Sequence, residues 1–544
     1  MQLQNLMYFK TMIFSTISKK APLFLISALS LLSLKTEAQA IISRQSAISF
    51  PPTNELQVNM ETLMLVNQSA YPVAIDSVAR FNYYGNKVFK ALDSSFVILS
   101  GDSIAVDIEF SPEHNMLHSQ ALVFKSASGF GHFPVMVDGQ GTFSKSYYST
   151  TQNKEEQVLK SALDTKLAAG YNSLGYTTAR DNMYGTLDNS GGQVSCVYTG
   201  RTATFNTRSG ANTNSFNCEH TFPQGFFNSN EPMRSDIHHL FPTDVTSNSR
   251  RGNDPFGVVS SSSWSQGGSK SGGGKFEPRD AQKGATARAM MYFVIRYQDY
   301  SNHFSGQEAI LRSWHDSYPP SAGEIARNNG IFALQNNRNP FVDYPQFIER
   351  ISDINTTSTA NANYSTYYSD DTIMLAQGTG SFDYSFVIYN RGNEDMTFRN
   401  FQLSDPNLNF GNGNPGAITL SPGDYAQIMI SFDGSISYNA NLQFIEEGQG
   451  SQAQTIYIQS GSQLSSAEAA LQKVSFYPNP SNGHLQVQGF ARLMQMSLND
   501  AWGRYWPITL DRELDLTYLP TGIYFIRYQL KGESSYHSER LLIK

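Results

Sequence analysis

Ile104, Val106, Ile108 and Phe110 alternate with other residues in SIAVDIEF, and Ala426, Ile428, Ile430 and Phe432 repeat the alternation far downstream in AQIMISFD. A period of two is what a strand with one buried face requires. The approaches to the two runs also correspond, VILSGD before the first and ITLSPGD before the second, so one strand-rich module occurs twice in diverged form. Copies this far apart cannot share one continuous core with everything between them. With 544 residues, and domains usually holding about 100–200, several units are required.

The first module is expected over 41–145 and the second over 365–462, each an all-β sandwich with turn residues between short strands. Between them, 146–355 has a different texture. EEQVLKSALDTKLAAGY has helical spacing, and EPRDAQKGATARAMMYFVIRYQDY predicts a second helix that opens at Pro278 with an acidic first turn. Short strands and loops lie between these helices, which gives an α+β centre. A polar linker, GSQLSSAEAALQK, precedes a last strand-rich unit over 474–544.

At the N-terminus, Lys19 and Lys20 precede the apolar run APLFLISALSLLSL, and Ala38-Gln39-Ala40 follows it, so 1–40 is read as a cleaved signal peptide. The run of 14 residues is too short for a membrane anchor, which needs roughly 20. No transmembrane segment is expected in the mature chain. Export permits a disulfide, and Cys196 and Cys218, the only cysteines, are expected to pair. The net charge of −7 argues against a nucleic-acid partner until its distribution is considered, because 201–296 carries 11 Lys and Arg against 7 Asp and Glu.

Chemistry concentrates in that basic centre, in NCEHTFPQGF and in DIHHLFPTDVTSNSRRGNDPFG. Glu219 and His220 are neighbours, and a strand would point them to opposite faces unless it ends there, an ending that Pro223 makes credible. A histidine can take a proton from water, and a carboxylate with an amide oxygen can hold a hard cation beside a phosphate. Asp244 or Thr246 can cap a short helix that carries Asn248 to the site, whereas Asn253 beside Gly252 reads as a turn residue. Arg250 and Arg251 are left to meet phosphate. Asp236, His238 and His239 could be mistaken for zinc ligands, but no two histidines of this block lie one helical turn apart. They are read as core residues and supports of the site, with His239 the one of the two histidines facing it. GGSKSGGGKF lacks the spacing of a phosphate-binding loop and is read as a flexible basic loop beside the nucleic-acid backbone.

FNCEHTFPQGFF, SDIHHLFPTDVTSNSRRGNDPFG and FEPRDAQKGATARAMMYFVIRY, in this order and spacing, resemble the signature blocks of the bacterial endonuclease I family of secreted nucleases. The resemblance implies a ββα-metal fold over 146–355 in which Glu219 and Asn248 bind one divalent ion. That ion would be magnesium, with manganese or calcium as substitutes. It also implies that His220 is the general base and that Arg250 or Arg251 steadies the charge growing on phosphorus. DNA is the implied substrate, with RNA as a second candidate. The two β modules resemble the immunoglobulin-like domains appended to secreted bacterial proteins. Tyr477-Pro478-Asn479-Pro480, Asp500 with Gly503, and Leu519-Pro520-Thr521-Gly522-Ile523-Tyr524 resemble the C-terminal sorting domain of the type IX secretion system. That implies an outer-membrane secretion machinery as partner and release outside the cell or attachment to its surface. The rival from another class is a surface adhesin built on the sandwiches with an inactive centre, against which the intact Glu219, His220 and Asn248 speak.

Overall fold

The computed structural model describes residues 40–81, 88–297, 301–463, 474–488, 490, 493–500, 504–531 and 536–544. The expected signal peptide up to Gln39, most of the linker before Val474, and Gly503 lie outside them. No helix among the described residues is long and apolar enough to cross a membrane.

Nine strands are described from Ile41–Ser43 to Phe133–Thr142, and nine more from Thr366–Tyr368 to Gly450–Gln463. Counted from one to nine along the chain, both sets form one sheet in the order 1-3-7-5 and another in the order 2-9-8-4-6. In each set the second strand runs parallel to the ninth, with Ile48 opposite Val137 and Ile373 opposite Ile458. The sequence repeat is therefore a repeat of topology. The alternation works as expected, since Val106, Ile108 and Phe110 are buried in one copy and Ile428, Ile430 and Phe432 in the other. A polar feature repeats too. Asn67, at the end of the third strand, donates from Nδ2 to the Tyr71 and Ile98 carbonyls (2.7 and 2.9 Å) and accepts from the Ser69 amide (2.9 Å). Asn390 does the same with Glu394, Leu420 and Gly392 (2.7, 2.9 and 2.9 Å). Each buried amide satisfies backbone groups that the strand end would otherwise leave unpaired.

Although the centre separates them in sequence, the two modules meet in space. Ser385 donates its amide to Phe130 O and accepts from the His132 amide (3.2 and 2.8 Å). Gly131 lies between these contacts with φ of +80°, and a Cβ there would fall 2.2 Å from the Ser385 nitrogen, so only glycine allows the approach. Phe81 stacks on Tyr389 with centroids 4.0 Å apart, and His132 Nε2 lies 2.8 Å from the Asp370 carboxylate.

The centre packs around the helix Asp280–Tyr297, where Ala287, Met290, Met291, Phe293 and Val294 are all buried. Leu159 and Leu163 of Glu156–Ala168 and Leu311 of Glu308–Ser317 join the same core. The first sandwich is fastened to this domain through Asn115, whose Oδ1 accepts from Arg350 Nη2 (2.9 Å) and whose Nδ2 donates to Thr151 (3.0 Å). The C-terminal unit has one three-stranded and one four-stranded sheet around Leu485, Leu498, Leu514, Ile526 and Leu541.

The segment expected to be a flexible loop is instead a three-stranded antiparallel meander of Trp264–Gln266, Ser269–Gly272 and Lys275–Glu277. Its glycines make the turns: Gly267-Gly268 (φ +60° and +96°) and Gly273-Gly274 (φ +61° and +69°) each join two strands through a two-residue connection that needs positive φ at both positions.

Candidate active site

Phe216–His220 pairs antiparallel with Leu240–Asp244, placing Glu219 opposite Phe241 and His220 opposite Leu240, and Val245–Arg251 follows at once as a helix. This is a strand–strand–helix unit. Asp244 is extended and its carboxylate accepts from the Ser247 amide (2.8 Å), so Asp244 is the residue that caps the helix. Asn248 and Arg251 are three residues apart and so share a helix face. That face meets the first strand: Asn248 Nδ2 donates to Asn217 Oδ1 (2.9 Å) and Cys218 O (3.3 Å), and Arg251 Nε lies 3.0 Å from Glu219 Oε1.

Glu219 and His220 diverge as the strand period demands. Glu219, 2% exposed, receives the Tyr198 hydroxyl at Oε1 (2.8 Å) together with Arg251. Burial pushes its carboxyl up to about 7, and Arg251 and Tyr198 only partly offset this. On the other side of the strand, His220 packs near Tyr176, Phe227 and His239, with ring centroids 5.4, 6.5 and 5.6 Å away. His220 Nε2 lies 3.2 Å from the Arg234 carbonyl. A carbonyl can only accept, so Nε2 carries the hydrogen and Nδ1 keeps its lone pair. Burial first, then the charges of His239, Arg234 and Arg180, hold the imidazole neutral, with its pKa lowered to about 3.

The two arginines that the sequence left open are now distinct. Arg251 is fully buried: Nη2 donates to Thr221 O (2.7 Å), Nη1 to Gly252 O and Asp254 O (3.1 and 3.0 Å), and the guanidinium lies over Phe256. It clamps the strand end to the helix end and is not open to phosphate. Arg250, one residue earlier, is exposed.

Asp236 is a buried carboxylate that accepts from Tyr292, Tyr297, Gln335 and the His238 amide (2.7, 2.7, 2.9 and 3.1 Å). Burial alone would raise its pKa, but His238, Arg296, His239 and Tyr297 outweigh that and hold it low. The same carboxylate caps the turn Ile237–His239. His238 Nε2 meets Asn337 O (3.2 Å) on the core side, while His239 Nε2 meets Met233 O (2.7 Å) beside the His220 ring.

The expected disulfide is not formed: Cys196 and Cys218 are both free and buried. Cys196 Sγ accepts from the Asp244 and Thr199 amides (3.2 and 3.4 Å) and lies 3.5 Å from Ser247 Oγ, under the helix cap. Cys218 is on the opposite side of its strand from Glu219, near Tyr176, and burial raises its thiol pKa to about 12. Proximity in sequence put both thiols in one sheet region but not on one side of it.

Glu219 and Asn248 are of the chemical types that suit a hard cation. Both contacts to the carboxylate reach Oε1, outside of which Oε2 remains, and the amide of Asn248 donates through nitrogen, which turns its oxygen away from those partners. One carboxylate with one neutral oxygen suits an ion that keeps most of its waters. Among the described residues no three His, Cys, Asp or Glu side chains gather as a metal site. Tyr198 and Arg234, which hold Glu219 and His220 in place, were missed in the sequence because neither has a distinguishing local signal.

Residues 154–346 match the family model described as Endonuclease I. The chain carries an Endonuclease I domain. The extracellular ribonuclease of Bacillus amyloliquefaciens is 29% identical over 264 residues, which span 44% of this chain and 90% of the relative. That of Bacillus subtilis (strain 168) is 29% identical over 225 residues, 38% of this chain and 77% of the relative. Residues 475–544 match the model of a secretion system C-terminal sorting domain, so this nuclease is directed out of the cell or to its surface and engages secretion machinery on the way.

Proposed function

We propose that the Endonuclease I domain hydrolyses phosphodiester bonds of DNA and also of RNA, in a magnesium-dependent reaction with little sequence preference. The observation that carries this is the end of one strand, where a neutral histidine with a fixed tautomer stands next to a carboxylate joined to a capped helix bearing Asn248. His220 Nδ1 takes the proton of the attacking water. Tyr198 and Arg251 orient Glu219, and the exposed Arg250 steadies charge on the phosphate. A magnesium ion held by Glu219 and Asn248 would supply Lewis acidity at the scissile phosphate and the leaving oxygen. His239 and Asp236 keep the second strand's entry in register beside His220, and His238 anchors it to the core. The β modules are read as immunoglobulin-like carriers of the domain. RNA is included because the matched relatives are named ribonucleases. The test incubates the secreted protein with plasmid DNA and with RNA, in magnesium and in chelator. Cleavage should vanish in chelator and return with magnesium; full cleavage in chelator would refute the metal requirement.

A further inference from the structure

Several buried arginines of the nuclease domain are matched to carboxylates: Arg251 to Glu219, Arg288 to Glu324 and Arg338 to Asp343, with the part-buried Arg327 matched to Asp188. Beside His220 two are not. Arg180 lies in the last turn of the helix Gly175–Asn182, and its guanidinium carbon lies 4.0 Å from the Tyr176 ring centroid. Arg234, in the turn Met233–Ser235, brings its own to 4.4 Å from the same ring. Among the described residues neither guanidinium forms an ion pair. The Arg180 side chain donates from Nε to the Tyr176 carbonyl (3.3 Å), and Arg234 Nε is buried with no hydrogen-bond partner among the described residues. Tyr176 in turn packs 5.4 Å from the His220 ring.

Two like charges held on one ring repel each other, and partial burial strengthens the repulsion. The fold brings them together from positions far apart in sequence, next to the histidine that meets the scissile bond. An anion that reaches both guanidiniums would offset the cost, and guanidinium forks suit phosphate oxygens. Resting on the nuclease reading above, we propose that Arg180 and Arg234 jointly bind a backbone phosphate that flanks the scissile one, with Tyr176 as the plate that aligns them. They are positioning residues. They hold the strand while His220 works.

The test measures binding of a short mixed-sequence DNA duplex and of a single-stranded RNA of equal length, with chelator present so that nothing is cut, as a function of salt. The double variant R180Q/R234Q should bind both about tenfold more weakly or worse. Its slope of log affinity against log salt should fall by about 0.9 on the duplex and about 0.7 on the single strand, one phosphate contact in each case. In magnesium its KM should rise while kcat holds, a split that general loosening of the fold would not produce. Arg180→Glu, at a half-exposed helix end, serves if the double variant does not fold, and should weaken binding at least as much. Unchanged affinity and slope in the variants, with a wild-type protein that cuts, would overturn the proposal and leave the nuclease reading intact. A wild-type protein that neither binds nor cuts nucleic acid would overturn both. Loss on the duplex alone would assign the clamp to DNA, and loss on the single strand alone to RNA.

Discussion

In the two sandwiches the buried polar groups are mainly asparagines, histidines and serines, and Asp93 is the one buried Asp, Glu, Lys or Arg among their described residues. In the nuclease domain Glu219, Asp236, Arg251, Arg288, Arg296 and Arg350 are all buried. The sandwiches rest on apolar alternation with a neutral amide pin, and a buried amide needs only backbone partners that the strands already supply. The nuclease domain keeps charges where water cannot reach them, so each depends on a specific partner, and losing the partner costs more than the pair contributes. The residues proposed for catalysis are built on that dependence. Glu219 is held in place by the same guanidinium that ties helix to strand.

The largest effect expected from this contrast is at Arg251. Arg251→Ala strands Glu219 and frees three carbonyls, and should cost about 3–5 kcal/mol of stability. Arg250→Ala should leave stability within about 0.5 kcal/mol of wild type and slow cleavage alone. Thermal melting of the two variants checks this, and equal melting temperatures would erase the distinction between clamp and phosphate contact. Next come the pins. Asn67→Ala and Asn390→Ala should each cost about 1–3 kcal/mol, by similar amounts because their bonds match. Chemical denaturation that shows one of them neutral would break the equivalence of the modules.

The smallest effect is set by pH. Burial holds His238, His303 and His315 of the nuclease domain, and His118 of the first sandwich, down to about 4. An unfolded chain takes up these protons as pH falls through about 6.5, and the folded one refuses them until about 4. The native state thus loses stability as pH falls across that window, and more so in the nuclease domain. Hydrogen exchange should show 146–355 opening before either sandwich as the solution is acidified. The opposite order would contradict the contrast.

Much of this was legible in the sequence, for identifiable reasons. Period-two alternation marks a strand whatever surrounds it, so Ile104–Phe110 and Ala426–Phe432 were readable. The parallel pairing of second and ninth strands was not, because partner choice over such a separation leaves no local mark. The glycines of 267–274 were read as flexibility when two adjacent glycines between short polar runs also signal a tight hairpin. Glu219, His220 and Asn248 stood out as chemical types at a strand end and on a capped helix. Cys196 and Cys218 misled because spacing does not say which side of a strand a thiol occupies. For Arg250 and Arg251, helix phase decides which one turns inward, and the phase is set by the cap at Asp244, which the sequence left shared with Thr246.

The central claim is the division of labour at that strand end, and the most direct test is a magnesium titration of DNA cleavage by wild type, His220→Ala and Glu219→Ala. His220→Ala should cut about 10²- to 10⁴-fold more slowly with the magnesium midpoint unchanged, while Glu219→Ala should lose turnover and also shift the midpoint to higher concentration. His239→Ala, run alongside, should lose less than His220→Ala. Near-normal turnover in His220→Ala with activity abolished in His239→Ala would contradict the account and move the base to the second strand's entry.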